Sequence, residues 1–281
     1  MAQTMQAMRR SVGIIGSSVA RVQRKNTFAE AVAECVKRMD SCIAEGGIGH
    51  DQVDAVVVGN MLAPQLQRQQ QFASFLACRA NLTSAAPFTI DAACGSGGAA
   101  LQIGYNLIQS GGFKNVLVVG FEYMTHEDKK LITTALAGAS HWETEGAKGS
   151  TFVSLNGQVL SAYTEKYGVL PDELRHISIN GHNNANTVDH ALFHGKGGLT
   201  DEKFRQSLEI NHNLVLYAAS SICNGSASVL LSNDEAKSHH PRIIGSASAG
   251  DYIDLSKRSD LTDVSTLCAT PFASGDVFAH F

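Results

Sequence analysis

Apolar positions along the chain alternate between unbroken runs and helical stripes. "SVGIIGSSVA" (11–20) predicts a first strand. Behind it, Thr27 and Glu30 form a capping box for a helix whose apolar residues are Phe28, Val32, Cys35, Val36, Met39 and Ile43. Gly46 and Gly47 end that helix. "DAVVVGN" (54–60) is continuously apolar, as in a strand buried on both faces of a parallel sheet. A helix over 69–82, a strand over 88–94, a helix over 96–112 and a strand over 115–122 follow. Strands and helices alternating at these lengths predict an α/β layered fold.

The helix that starts near residue 96 has an unusual pattern. Ala99, Ala100, Leu101, Ile103, Gly104, Tyr105, Leu107 and Ile108 occupy most of its circumference, with Gln102, Asn106 and Gln109 confined to a narrow stripe. A surface helix carries a wider polar face. This one is therefore expected to be covered on nearly all sides, with its N-terminus pointing inward. A single sheet covers only one side, so a second copy or a complementing chain is expected over the rest, where Leu, Ile and Tyr side chains otherwise meet water.

From 124 to 215 the texture turns polar and glycine-punctuated and includes the only tryptophan. Helices are predicted over 156–168 and 171–186, the second opening on a proline, with a loop and a short helix over 190–210. Strand character returns at 227–233 and 241–250, and one more helix start lies near 262–267. The domain reading is a core at 11–123, an insertion at 124–215, a return to the core at 216–250, and a further unit beginning at 251–281.

Composition narrows the class. The 281 residues are 44% hydrophobic and 17% charged, with net charge −4 and no long basic block. That describes a globular chain without a nucleic-acid footprint or an apolar run of membrane-spanning length. Six cysteines, at 35, 42, 78, 94, 223 and 268, contain no Cys-x-x-Cys pair. Free thiols in a reducing intracellular compartment are the simpler expectation. No acidic residue precedes Glu30. That is faintly like a mitochondrial presequence, but the first strand leaves at most ten residues for one. The cytoplasm is therefore expected first, with a mitochondrial or peroxisomal site as alternatives.

The candidate chemistry centres on "FTIDAACGSGG" (88–98). Cys94 sits where a strand meets a glycine-rich turn that opens a helix. A thiolate there faces unpaired N–H groups and the positive end of the helix dipole. The alternative is a small buried residue in a tight turn. Gly95-Ser96-Gly97-Gly98 has neither the G-x-G-x-x-G spacing nor a P-loop lysine, and no G-x-S-x-G elbow occurs. His190 and His194 have i,i+4 spacing, with His182 and Asp189 nearby, but Gly195, Gly197 and Gly198 disfavour a helix there. No metal site is expected.

Four segments together resemble the thiolase family. "DAACGSGGAALQIGYNLIQSGGFKNVLVVGFEYMTH" is similar to its nucleophile segment, and "NGQVLSAYTEKYGV" to a helix of its loop domain. "GHNNANTVDHALFHGKGGLTDEKF" resembles the Asn-His-x-Asn-Ala stretch of the sterol-carrier-protein type, and "YAASSICNGSASVLLSNDEAK" the segment returning to the N-terminal half. The resemblance is co-linear over about residues 11–250. It implies a mixed five-stranded sheet with helices, carrying an inserted loop domain that covers coenzyme A. It further implies an acyltransferase working through a cysteine acyl-enzyme at Cys94, with Ser220, near the pantetheine, and Gly157, a loop-domain glycine, as its CoA-binding residues. The implied substrates are acyl-CoA or 3-ketoacyl-CoA with free CoA or acetyl-CoA, in thiolysis or Claisen condensation; no permanently bound cofactor is implied. A ketoacyl synthase is disfavoured because the insertion is of thiolase type.

Asn224 stands where the family usually has Asp, and Ser226 where it has Ala. The Gly-His-Pro, Asn-Glu-Ala-Phe and His-Asp-Cys-Phe strings of the family's second half do not occur, and Cys268 is followed by Ala-Thr. A truncated or split enzyme is the expectation, completed by a homodimer or a second-half subunit. An inactive acyl-CoA-binding scaffold is the alternative.

Overall fold

The computed structural model describes residues 10–126, 128–211, 214–234, 239–255 and 257–258. The expected helix near 262–267 and most of the 251–281 unit lie outside them.

A mixed sheet organises the chain. Its strands are β1 (Val12–Val19), β2 (Ala55–Gly59), β3 (Ala86–Ile90), β4 (Asn115–Tyr123), β7 (Asn224–Ser232) and β8 (Arg242–Ile243), in the order β3-β2-β4-β7-β1-β8. β3, β2 and β4 run parallel, while β7 is antiparallel to β4 and β1 on either side. The expected strand over 241–250 shrinks to the two residues of β8, which add a short sixth strand at the edge beyond the expected five.

Each central strand sends alternate residues to opposite faces. Val56 and Val58 of β2, with Leu117, Val119 and Phe121 of β4, pack in one core with α1 (Phe28–Glu45) and α2 (Phe72–Arg79). Ala55, Val57, Val116 and Val118 pack in the other with α3 (Ser96–Gln109). The topology explains the split. The chain moves outward from β2 to β3 and then back across β2 to β4, and right-handed crossovers in opposite directions place their helices on opposite faces. The α1 capping box forms as the sequence predicts, with the Glu30 amide donating to Thr27 Oγ1 and the Thr27 amide to Glu30 Oε2.

The α3 layer is a single helix, and within this chain the sheet covers one side of it, as the sequence reading expects of the chain by itself. Ser96, Ala100, Gly104, Tyr105 and Ile108 are buried, whereas Leu101, Ile103 and Leu107 are half-buried and Gly97 and Gly98 are exposed. Tyr105 goes inward, so the partly uncovered face consists of Leu and Ile. Gly104 lets the helix sit low on β4, since a Cβ there would lie 2.7 Å from Val118 Cγ2.

Between β4 and β7 the chain forms α4 (Lys129–Ala137), α5 (Phe152–Tyr167), α6 (Arg175–Thr187), α7 (Asp201–Arg205) and a small hairpin of β5 (Glu209–Asn211) with β6 (Leu214–Val215). Sequence patterning anticipates α5 to α7 but not α4, whose N-cap is Asp128, accepting from the Lys130 and Leu131 amides. No residue of α6 is buried, and Gly157 is the one buried residue of α5.

Candidate functional site

Three parallel strands end at one cleft. Gly59 closes β2, Cys94 follows β3, and Glu122 lies near the end of β4. All three line a cavity of about 470 Å³, whose walls include Val19, Met61, Leu62, Met124 and Leu136. The C-terminal ends of parallel strands are where α/β sheets collect ligands.

The turn carrying Cys94 is pinned by side chains. Asp91 Oδ1 accepts from the Ala93 amide at 2.9 Å. Ser96 Oγ accepts from the Ala92 amide at 2.9 Å and donates to the Ala93 carbonyl at 2.6 Å. Ala93 adopts φ 49°, a left-handed conformation costly for a residue with a Cβ. Cys94 itself is exposed, immediately before Gly95, the N-cap of α3. The buried-turn alternative for Cys94 is therefore excluded.

The other described thiols have different surroundings. Burial pushes Cys35 and Cys42 up to about 12. Burial also raises Cys223, which lines the same cleft as Cys94, with nearby Arg24 opposing the rise. Cys78 is exposed but belongs to the last turn of α2, at the negative end of the helix dipole. Cys268 lies outside the described residues.

Glu122 was not singled out by sequence reasoning, although a carboxylate at the end of an apolar strand is itself a signal. Its Oε1 accepts from the Met61 amide at 2.5 Å and the Leu62 amide at 3.3 Å, while the buried Oε2 has no partner among the described residues. Burial holds this carboxyl above the ordinary glutamate range. The two amides partly offset the shift, and Asp91 adds to it. A raised value means the folded chain keeps a proton that the unfolded chain has released. The contribution to stability is full below the ordinary glutamate range and is lost as pH rises through the raised value. Glu122→Gln abolishes this ionisation. The stability of the variant minus that of wild type should therefore grow with pH across that window and then level off. Urea unfolding at a series of pH values checks it; a difference constant with pH contradicts the assignment.

Asn224 ties the cleft floor together. It is 1% exposed. Its Oδ1 accepts from the Met124 and Thr125 amides at 2.8 and 2.9 Å, and its Nδ2 donates to Asn26 Oδ1 at 2.8 Å and Thr125 Oγ1 at 2.6 Å. The departure from Asp now has a physical reason, because Asn26 Oδ1 and Thr125 Oγ1 call for a donor that a carboxylate lacks. Asn224→Ala leaves the half-buried Met124 and Thr125 amides unpaired and should cost about 2 kcal/mol. Asn224→Asp should cost less, since an Asn26 amide flip restores a donor. Thermal midpoints of the two variants check the ranking. The second departure, Ser226, hydrogen-bonds the buried Cys35 thiol and lines the cleft.

Ser220 and Gly157 do not line the Cys94 cleft. Ser220 is exposed and precedes β7, and Gly157 is buried within α5. Their neighbours Ala218 and Leu160 line a separate cavity of about 580 Å³. His182 contacts the Tyr217 carbonyl at 3.3 Å and His190 pairs with Asp189 at 3.3 Å. Among the described residues no group of His, Cys, Asp and Glu could hold a metal, and no helix is long and apolar enough to cross a membrane.

Comparison with known proteins fits this geometry. The family profile "Thiolase, N-terminal domain" matches residues 5–194. An acetyl-CoA acetyltransferase of Methanothermobacter thermautotrophicus is 33% identical over 226 residues, 79% of this chain and 58% of the relative. One from Methanocaldococcus jannaschii is 30% identical over 264 residues, 91% of this chain and 65% of the relative. The chain thus spans less than two thirds of the length of either. The fold matches that of human mitochondrial 3-ketoacyl-CoA thiolase, solved in complex with CoA. The TM-score is 0.70 at 16% identity, covering 96% of this chain and 76% of the other. With its exposed Cys94 on a pinned turn at the ends of three parallel strands, the chain belongs to the thiolase family.

Proposed function

We propose that Cys94 is the acyl-accepting nucleophile of a thiolase-type acyltransferase acting on acyl-CoA or 3-ketoacyl-CoA. The observation that carries this reading is one exposed thiol, held by the Asp91 and Ser96 hydrogen bonds at the head of α3 and facing an apolar cleft. The Cys94 thiolate adds to the 3-keto carbonyl of a 3-ketoacyl-CoA. The bond between that carbonyl carbon and the next carbon breaks, the departing acetyl-CoA takes up a proton, and the acyl group stays on sulfur. Free CoA then takes the acyl group as a thioester, returning the thiol. Backbone N–H groups at the opening of α3 are the donors for the charge that develops on the carbonyl oxygen. Glu122 holds the Met61–Leu62 wall against β4.

The names of the two archaeal relatives support acetyl transfer as the simplest case. Free thiols at the described cysteines support a reducing, intracellular setting. The half-covered Leu and Ile face of α3 supports a second chain over it, either another copy or a complementing subunit. Incubation with acetoacetyl-CoA should add one acetyl group by intact mass. CoA-thioester binding without any adduct would favour the scaffold reading instead.

A further inference from the structure

Helix α4 forms one wall of the Cys94 cleft, and its middle is seated by apolar contacts. Ala135 is buried with Leu62 and Leu66, and Met61, Met124 and Leu136 pack against them. Met61, Leu62, Met124 and Leu136 also line the cleft, so whatever fixes α4 fixes the space beside the thiol. The C-terminal end of α4 is held by polar groups instead. Ser140 gives its Oγ and its amide to the Ala137 carbonyl at 2.8 and 3.1 Å. The turn that follows is bonded to a stretch far along the chain. Glu145 Oε1 accepts from the Leu255 amide at 2.9 Å, and its Oε2 from the His141 amide at 3.2 Å. Thr144 Oγ1 donates to Asp254 Oδ2 at 2.9 Å and meets His141 Nδ1 at 2.9 Å. Ser140, Glu145, Asp254 and Arg258 are all buried. Glu145 and Arg258 border a cavity of about 160 Å³ whose other walls include Phe152, Leu155 and Val159.

We propose that residues 251–255 are a strap that holds α4 in place and so sets the size of the group admitted beside Cys94. Thr144 and Glu145 are its positioning residues, acting through the turn and the end of α4. Two buried carboxylates make this joint close to all-or-none. Glu145 is 6% exposed, and a carboxylate removed from water that far needs donors aimed at it. If the turn drifts from the strap, Glu145 loses the Leu255 amide and Asp254 loses the Thr144 hydroxyl, with Phe152 and Leu155 beside the stranded charge. The apolar contacts around Ala135 make no such directional demand and re-form after a small slide. The strap, rather than the apolar cluster, therefore decides where α4 stops. The inference concerns the reach of the cleft and holds whether or not Cys94 carries an acyl group.

Competitive labelling of the full chain with N-ethylmaleimide and N-octylmaleimide, read by peptide mapping, tests it through the octyl-to-ethyl ratio at each cysteine. Thr144→Val and Glu145→Gln each loosen the joint without changing side-chain size much. Either should raise the ratio at Cys94 by about fivefold, the shift that loss of one buried hydrogen bond permits. Cys78, exposed on α2, should keep its wild-type ratio, and buried Cys35 and Cys42 should stay unlabelled. Thr200→Val removes the side-chain bond to the Lys203 amide at the start of α7, elsewhere in the insertion, and should leave every ratio unchanged. A Cys94 ratio that stays at the wild-type value in both joint variants would refute the strap. A rise accompanied by labelling of Cys35 and Cys42 would mean general loosening of the fold, and an equal rise in Thr200→Val would mean that any lost bond in the insertion suffices. Either result overturns the proposal.

Discussion

Iodoacetamide should label Cys94 before any other thiol, and Cys94→Ala should reduce the acetyl adduct from acetoacetyl-CoA to background. Burial removes the competitors one by one. Cys35 and Cys42 are shut inside the α1 core and pushed up to about 12, and half-buried Cys223 is raised as well. Among the described cysteines the contest is therefore between two exposed thiols with opposite relations to a helix. Cys94 immediately precedes the N-cap of α3, and Cys78 sits in the last turn of α2. Only the former lies beside the N–H groups that a helix leaves without partners at its first turn. Peptide mapping after brief labelling reads the order. Faster labelling of Cys78 or Cys223, or an adduct that persists in Cys94→Ala, moves the nucleophile elsewhere.

Gly59→Ala should cost about 3 kcal/mol or more and blunt Cys94 labelling as well. A Cβ at Gly59 would lie 2.5 Å from the Ser96 carbonyl oxygen, 2.7 Å from its carbon and 3.0 Å from the Gly97 nitrogen. All three are backbone atoms, so no side chain can turn aside to make room. Either β2 leaves the sheet, where all five of its residues are buried, or the first turn of α3 lifts. Lifting that turn draws Ser96 Oγ away from the Ala92 amide and the Ala93 carbonyl, and Ala93 then loses what holds its left-handed conformation. Thermal unfolding and Cys94 labelling should thus fall together. A variant with wild-type midpoint and labelling rate contradicts the close approach.

What could be read from the sequence follows how local its cause is. The α1 capping box is complete within four residues, and the buried strands β2 and β4 announce themselves as unbroken apolar runs. Cys94 was legible because its neighbours alone, glycine and serine after an apolar run, create the strand–turn–helix. Helix α4 was not, since its stripe is short and its segment otherwise polar; Ala135 is buried in a cluster with Leu62 and Leu66, which lie about seventy residues away in the chain. Glu122 and Asn224 act across long separations, on residues 61 and 62 in one case and on 26, 124 and 125 in the other. Nothing in their own neighbourhoods states those partners. What covers the rest of α3 is not written in its own residues for a related reason. Its apolar circumference is a property of the helix, whereas its cover depends on whatever else is folded against it.

The place of β7 bears on how the chain is made. β7 lies between β4 and β1, pairing nine residues with the former and six with the latter, yet it is encoded about a hundred residues after β4 ends. Among the described strands β1 pairs only with β7 and β8. At ~5–20 residues per second a ribosome needs roughly 5–20 s to supply the missing strand. During that interval the emerging chain holds β4 with one bare edge, the apolar run Val116–Phe121, and β1 with nothing to join. Neighbouring nascent chains on one polysome present the same bare edge to each other, so translation speed through residues 124–223 sets how long strand exchange competes with closure of the sheet.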